Sequence, residues 1–369
     1  MLGHGMFRDR DSIKEREGRI GMAFDFTKSL MAMQQRKFGD DLKKGELLES
    51  FSGKASDAVL YISEAMEPVS KTYTENTFKQ CDRVIEQLKS NISGKHSGLN
   101  FEYQGSVPLN VHIKKHSDID LLVATGRYYM VTPPLPVLNP YTGNCKNDMV
   151  QLRDDIVATI ESQFPAVVID DTGGKAVAIE GGSLNRKIDL VPVSWVHNTN
   201  SHGTNDLTPR GIRLYDKTDG IYITNYPFMH IAKCDGKDRN VGGKYKMLVR
   251  YIKNIIKDND GISISSYDAA GLMYLQGETE LIATDYNPVA LSVVCEKFLQ
   301  RLLNDNELMD SAMVPNGTRK LFGIGHLERA EVLKLYMVIK EINLAVSQSY
   351  STMLFSDRDQ FERIFRSAS

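Results

Sequence analysis

The sequence of 369 residues has few cysteines and no long apolar run. These two features argue against several classes of protein. Its four cysteines, Cys81, Cys145, Cys234 and Cys295, form no CxxC pair, which argues against a disulfide framework and against a zinc knuckle. No apolar stretch approaches the ~20 residues of a membrane helix, and residues 1–19 mix acidic and basic side chains instead of forming a signal-peptide core. We therefore expect a cytoplasmic protein with no membrane partner.

An excess of charge of one sign is also missing, since 45 Lys and Arg stand against 47 Asp and Glu. Because the charges nearly balance, the protein has no net positive electrostatic field that would attract a polyanion, so we expect no long nucleic acid as a partner. The sequence contains neither a Walker A motif nor GxGxxG, which leaves a P-loop NTPase or a Rossmann dehydrogenase without support. Hydrophobic residues make up 41% and charged residues 25%, as in a globular protein of one bilobal unit or two domains.

Apolar periodicity divides the chain into helical, sheet and helical parts. It predicts helices over residues 24–36 and 55–90, with an interruption of the second helix at Pro68. Between Asn100 and Trp195 the pattern predicts an α+β module with one helix, at 148–164, and strands at 118–124, 166–170, 176–180 and 187–195. After Tyr226 the pattern is helical again, with segments near 243–257, 266–276, 289–304 and 329–348. We place the catalytic lobe with its N-terminal helices at 1–208 and the helical C-terminal lobe at 209–369.

Three acidic residues on predicted strands indicate a metal site. Alternate residues of a strand share a face, so Asp118 and Asp120 project to one side while Ile119 points to the other. Two neighbouring carboxylates repel each other unless a cation lies between them, and their hard oxygen atoms suit Mg²⁺ or Mn²⁺. Asp189 lies among apolar residues of a second strand, where an isolated charge is costly, and is the third candidate ligand. Three carboxylates can hold two ions roughly 3.5–4 Å apart, as phosphoryl transfer requires.

A Gly-Ser turn upstream makes the acidic pattern more specific. An Asp-x-Asp motif by itself more often marks a solvated face or a capped turn. Here Gly105 allows a tight backbone turn, and the hydroxyl of Ser106 with nearby N–H groups can hold phosphate oxygen atoms. The combination of this turn, the strand with Asp118 and Asp120, and the distant Asp189 resembles the signature of the polymerase-β-like nucleotidyltransferase superfamily.

That resemblance implies a fold and a set of roles. The fold is α+β and bilobal, with a mixed-sheet catalytic lobe, an N-terminal spine helix and a helical C-terminal lobe. By resemblance, Asp118 and Asp120 bind both metal ions, and Asp189 binds the catalytic ion and helps to deprotonate the acceptor hydroxyl. Ser106 contacts the triphosphate. The turn continues with Val107-Pro108-Leu109-Asn110, where many relatives have a small or basic residue and a second glycine.

A predicted helix in the second lobe carries a basic stripe of Lys246, Arg250, Lys253 and Lys257 opposite an apolar one. A solvated surface is the plainer interpretation of such a stripe. However, Leu-Val-Arg-x-x-Lys at 248–253, followed by Ser266 and Tyr267, is similar to the second-lobe pattern of oligoadenylate synthetases, cyclic GMP-AMP synthases and their bacterial relatives. The similarity implies that Lys253 contacts the β and γ phosphates and that Ser266 donates a hydrogen bond to the triphosphate. Tyr267 is a candidate for stacking on a base.

The complete pattern looks most like the bacterial CD-NTases. This resemblance implies a metal-dependent enzyme that joins NTPs, releases pyrophosphate and makes a cyclic di- or trinucleotide messenger in anti-phage signalling. Its partners are then NTP substrates and regulatory or effector proteins. Two alternatives stay open: a nucleotidyltransferase that modifies RNA or a protein hydroxyl, and an inactive nucleotide-binding scaffold. His112 and His116 are expected at the surface, because no helix brings them onto one face.

Overall fold

The computed structural model describes residues 26–38, 57–114 and 117–352. These residues form, in order, α1 (Phe26–Phe38), α2 (Asp57–Met66), α3 (Lys71–Ile92), β1 (Asn100–Gln104), β2 (Ile119–Val131), α4 (Cys145–Gln163), β3 (Val168–Asp170), β4 (Val177–Gly181), β5 (Leu184–His197), β6 (Gly211–Asp216), β7 (Ile221–Asn225), α5 (Pro227–Asn240), α6 (Lys244–Asp258), α7 (Ser266–Tyr274), α8 (Glu278–Ala283), α9 (Pro288–Leu303), α10 (Asn306–Ser311) and α11 (Arg329–Thr352). None of the helices in these ranges is both long and apolar enough to cross a membrane.

The seven strands form one mixed sheet with the order β1-β2-β5-β4-β3, and β6 and β7 continue it from β5. β2 and β5 pair in parallel, whereas the other pairs are antiparallel. The long strand β5 accommodates two partners on one edge, since its first half pairs with β4 and its residues 194–196 pair with β6. The sequence pattern predicted β2, β3, β4 and β5 but not β1, β6 or β7.

One face of the sheet is covered by α3 and α4, which pack against each other and against β5. Buried residues of α3, such as Val84 and Leu88, share a core with Ile119 and Leu121 of β2. The Ser70 hydroxyl accepts a hydrogen bond from the N–H of Tyr73 and caps the start of α3. The predicted interruption of the long N-terminal helix at Pro68 is confirmed, because α2 ends at Met66 and α3 begins at Lys71.

The C-terminal helices form a second core, and the first two helices of the described residues belong to it. α1 and α2 pack on each other and on α6, and α2 also contacts α9 and α11. Tyr61 and Ile62 of α2 are fully buried in the same cluster as Leu248 and Ile252 of α6. The prediction grouped these N-terminal helices with the sheet, because periodicity shows that a helix has an apolar face but not which partner covers it.

The sheet also extends further along the chain than the predicted lobe boundary at residue 208. β6 and β7, which follow that boundary, pair with β5 and with each other. The helices begin again with α5 at Pro227. The change from sheet to helix therefore lies between Asn225 and Pro227, which places the whole of the sheet before it.

Candidate active site

The parallel pairing of β2 and β5 brings the predicted acidic residues together. In the register of the two strands, the Cα atom of Asp120 lies opposite that of Asp189. Asp118 precedes Asp120 by two residues and therefore projects to the same face of the sheet. All three side chains line one cavity of about 330 Å³ between the sheet and the helical lobe. The structure thus brings together the three carboxylates that the sequence singled out.

The Gly-Ser turn lies directly against the acidic residues. Gly105 follows β1, whose last residue, Gln104, pairs with Asp120. Its φ of +81° is in the left-handed region, and a Cβ atom added there would lie 2.2 Å from Asp120 Oδ2. Only glycine fits this backbone conformation and this approach. The N–H of Val111 closes the turn by donating to the carbonyl oxygen of Ser106 at 3.0 Å.

Seven of the eight predicted site residues line the same cavity. They are Gly105, Ser106, Asp118, Asp120, Asp189, Ser266 and Tyr267. Ser266 is the first residue of α7, so the N-terminus of that helix faces the three acids across the cavity. A helix N-terminus presents free N–H groups and the positive end of the helix dipole, which favours an anion there.

Lys253, the eighth predicted residue, is not among the lining residues. It is only 5% exposed, and its ammonium donates to the carbonyl oxygen of Val111 at 2.9 Å. Arg250, one turn earlier on α6, is also buried and donates to the carbonyl oxygens of Met66 at 2.7 Å and Asn110 at 3.0 Å. The solvated-stripe interpretation is therefore wrong for these two residues, because the stripe packs against the Gly-Ser turn and the end of α2. Burial lowers the pKa of Lys253 to about 8, although the negative charge of Asp120 acts to raise this pKa.

One lysine lies among the acids and was missed by the sequence analysis. The ammonium of Lys187 lies 2.8 Å from Asp118 Oδ2 and 3.3 Å from Asp189 Oδ1. Strand alternation contained the signal, since Lys187 precedes Asp189 by two residues on β5 and shares its face. Burial lowers the pKa of Lys187, but the bonds to Asp118 and Asp189 outweigh this effect and raise it.

Two of the three carboxylates, Asp120 and Asp189, have raised pKa values, mainly because they are buried. Burial raises the pKa of Asp120 to about 7, and repulsion from Asp189 and Asp118 adds to the shift. Burial likewise raises the pKa of Asp189, although Lys187 opposes this. Such clusters of acids with raised pKa values occur at functional sites, where a cation or a proton must relieve the repulsion.

The donor set suits a hard divalent cation. Asp189 Oδ1 is buried, and its ion-pair partner is the Lys187 ammonium at 3.3 Å, so this oxygen atom already faces a cation. Carboxylate oxygen is the donor that Mg²⁺ and Mn²⁺ prefer. Across the described ranges, no three His, Cys, Asp or Glu side chains are already gathered as a metal site. The ammonium of Lys187 lies within ion-pair distance of both Asp118 and Asp189 and is their counter-cation in this structure.

Two further lining residues, Asn225 and His230, come from elements that the sequence analysis did not predict. Asn225 ends β7, and His230 lies in the first turns of α5. The imidazole of His230 stacks on the ring of Tyr267, with 4.4 Å between centroids and 23° between planes. Burial lowers the pKa of His230 to about 4, so the ring is neutral near pH 7. No motif marks either residue, and only the tertiary fold brings them to the cavity.

The predicted surface position of His112 is wrong. His112 is 1% exposed and its Nε2 lies 3.1 Å from the hydroxyl of Thr74 on α3. It is buried because Leu109 and Val111 insert into the helical core and carry the adjoining segment inward. His116 lies outside the described residues.

Comparison with known proteins identifies the family. Residues 232–343 match the family model described as the cGAS/DncV-like nucleotidyltransferase C-terminal helical domain. The cyclic dinucleotide synthase CdnE of Yersinia aleksiciae is 32% identical over 317 residues, which cover 82% of this chain and 83% of that protein. The chain belongs to the CD-NTases.

Solved CD-NTase structures have the same fold. The STING-associated CdnE c-di-GMP synthase from Flavobacteriaceae sp. superposes with a TM-score of 0.72 at 22% identity, over 89% of this chain and 99% of that one. The corresponding enzyme from Capnocytophaga granulosa gives a TM-score of 0.70 at 24% identity, over 89% and 100%. The predicted family, the bilobal polymerase-β-like fold and the enzyme class are thereby confirmed. This CD-NTase is a nucleotidyltransferase.

Proposed function

We propose that the chain joins two nucleoside triphosphates into a cyclic dinucleotide and releases one pyrophosphate at each of two bond-forming steps. The single observation that carries this proposal is the register that sets Asp120 beside Asp189, with Asp118 and the Gly-Ser turn at the same cavity. The relationship to the cyclic dinucleotide synthase CdnE supports two nucleotides as the product size. The first step gives a linear dinucleotide that keeps one triphosphate, and the second closes the ring.

At each step an acceptor hydroxyl attacks an α-phosphorus. The new O–P bond forms as the P–O bond to pyrophosphate breaks, and the hydroxyl proton passes to a base. We assign this base to Asp189, whose side chain lines the cavity. Two Mg²⁺ or Mn²⁺ ions held by Asp118, Asp120 and Asp189 would neutralise the phosphate charge and make the hydroxyl more acidic.

The triphosphate is proposed to lie between the Gly-Ser turn and the start of α7. Ser106 contacts it from the sheet side, and Ser266 donates from the helix N-terminus opposite. Lys253 adds positive charge beneath the turn, and its direct bond to the β and γ phosphates stays a prediction. The Tyr267 ring stacks on His230 and has the Arg319 guanidinium 5.3 Å from its centroid, and its stacking on a nucleobase stays a prediction.

The product implies a partner. A cyclic dinucleotide acts as a messenger only where an effector protein binds it. Two structurally similar CdnE enzymes are described as STING-associated. We infer that this chain acts in anti-phage signalling through an effector that binds cyclic dinucleotides.

Product analysis tests the proposal. The purified chain is incubated with mixtures of the four NTPs and Mg²⁺ or Mn²⁺, and the products are identified by mass spectrometry. We expect a cyclic dinucleotide and two pyrophosphates per product from the wild type and from Asp219→Ala, which changes an exposed aspartate outside the cavity. The double variant Asp118→Ala with Asp120→Ala should give neither. Transfer of nucleotides only to added RNA or protein would contradict the proposal.

A further inference from the structure

Lys187 is the basic residue that interrupts the acidic site. We propose that Lys187 couples metal binding to nucleotide binding: its ammonium holds Asp118 and Asp189 while no metal is bound, and it transfers to a phosphate oxygen when an NTP and metal arrive together. The inference deepens the proposed function and rests on it. It makes Lys187 a further substrate-contacting residue of the same site.

The contacts of Lys187 fit a counter-cation. Its ammonium reaches one oxygen atom of Asp118 at 2.8 Å and one of Asp189 at 3.3 Å, so a single charge serves carboxylates from both central strands. A metal ion that binds the same two oxygen atoms must first displace it, because two cations cannot share this position. The ion pairs of Lys187 therefore oppose binding of metal by itself.

Lysine is suited to such a transfer. Its side chain is a mobile four-carbon stem that ends in a compact charge with three donors, and it carries no fixed fork like that of arginine. The side chain of Lys187 is 36% exposed, so it can turn without disturbing the core. Lys253, the other cation near Asp120, is held by the Val111 carbonyl and is 5% exposed, so it lacks this freedom.

A bound triphosphate changes the balance, because it offers the ammonium a new anionic partner. A metal ion that enters with the nucleotide then displaces the Lys187 ammonium from the carboxylates, and the ammonium pairs with the phosphate instead. This is a coupling free energy between two ligands, and it is reciprocal: nucleotide tightens metal binding by the factor by which metal tightens nucleotide binding. Part of that factor comes from Lys187.

Binding of Mn²⁺ measures this coupling without catalysis. The free Mn²⁺ signal in electron paramagnetic resonance gives the affinity at one fixed pH, with and without a non-hydrolysable NTP analogue. For Lys187→Met we expect Mn²⁺ by itself to bind roughly three- to tenfold more tightly than in the wild type, the scale of one or two partly exposed ion pairs. The gain in Mn²⁺ affinity on adding the analogue should shrink, and Lys187→Arg should retain most of the wild-type gain.

Lys217→Met is the matched control. Lys217 forms an ion pair with Asp171 at 2.9 Å, and its side chain is 35% exposed, close to the value for Lys187, but its ion-pair partner is not one of the three site acids. This variant should bind Mn²⁺ as the wild type does, in both conditions. As a second readout, Lys187→Met should melt at a lower temperature in EDTA than Lys217→Met, because only the former leaves Asp118 and Asp189 without their ammonium partner.

The outcomes separate this inference from the proposed function. Unchanged or weaker binding of Mn²⁺ to Lys187→Met in the absence of nucleotide overturns the inference, even if the wild type makes cyclic dinucleotide. An undiminished gain on adding the analogue also overturns it. Conversely, altered coupling in an enzyme that yields no cyclic product would support the role of Lys187 and reject the proposed reaction.

Discussion

Arg250→Met should loosen the Gly-Ser turn from the helical lobe. Arg250 is 6% exposed, and its guanidinium donates to the carbonyl oxygens of Met66 at 2.7 Å and Asn110 at 3.0 Å. Methionine fills similar space but cannot donate, so both carbonyl groups lose a hydrogen bond from a charged donor. Such bonds contribute roughly 1.5–3 kcal/mol each, and removing the buried charge recovers part of this. We expect the free energy of unfolding to fall by about 3 kcal/mol.

The local effect is on the turn. Arg250 and Lys253 hold the carbonyl groups of the successive residues Asn110 and Val111, at the end of the turn that includes Ser106. With Asn110 released, the turn should present Ser106 less well and the KM for NTP should rise severalfold. Urea unfolding measures the first effect, and pyrophosphate release at varied NTP concentration measures the second.

Arg36→Met provides the control. Arg36 also donates to α6, to Asp258 at 3.0 Å and Asn254 at 3.3 Å, but it does not contact the turn. It should lower stability to a similar extent and leave KM unchanged. A loss of stability below about 1 kcal/mol in Arg250→Met, which is the size of an ordinary hydrogen bond, would refute the reasoning. So would an equal rise of KM in both variants.

Two further predictions concern the site and its surroundings. Gly105→Ala places a methyl group 2.2 Å from Asp120 Oδ2 at a φ of +81°, so Asp120 must move. We expect kcat to drop roughly 100-fold, which is the effect of a misplacement of about 1 Å. The control Gly181→Ala, at a φ of +80° with no atom near the added methyl group, should keep kcat. The second prediction is a loss of stability in acid. Burial lowers the pKa of His112 and of His230 to about 4, so between the ordinary value near 6.5 and about 4 the unfolded chain binds protons that the folded chain does not. Stability is therefore complete above pH 6.5 and is lost as pH falls towards 4, by up to about 1.4 kcal/mol per pH unit for each histidine. Urea unfolding from pH 4 to 8 should show a weaker slope for His230→Phe, and an unchanged slope would contradict the assignment.

The acidic site could be predicted from the sequence because each of its signals comes from residues that are close together in the sequence. Alternation on a strand places Asp118 and Asp120 on one face. Asp189 is a single charge among apolar residues, which is costly unless a counter-charge such as a metal ion lies beside it. The parallel pairing of β2 and β5 then supplies the proximity. The break at Pro68 was also predictable, since proline cannot donate within a helix.

Other features depend on contacts between distant segments. The periodicity of α6 identified one buried stripe, but Arg250 and Lys253 of the opposite stripe are buried as well, because they donate to backbone carbonyl groups of a turn far away in sequence. The strand β7 was missed because its side chains are exposed or only partly buried and do not alternate clearly. The strand β6 does alternate, with Ile212, Leu214 and Asp216 buried, but it is only six residues long. Partners that lie far apart in sequence leave no periodic signal, so these features had to be read from the fold.

The central claim is that Asp118, Asp120 and Asp189 form a shared site for the divalent ions that act on an NTP. The most direct test is a crystal structure with Mn²⁺ and a non-hydrolysable NTP analogue, in which anomalous scattering locates the ions. Two Mn²⁺ peaks are expected in contact with Asp118 and Asp120, one of them also bound by Asp189, with the triphosphate between Ser106 and Ser266. A nucleotide bound in the cavity with no Mn²⁺ on these carboxylates would contradict it.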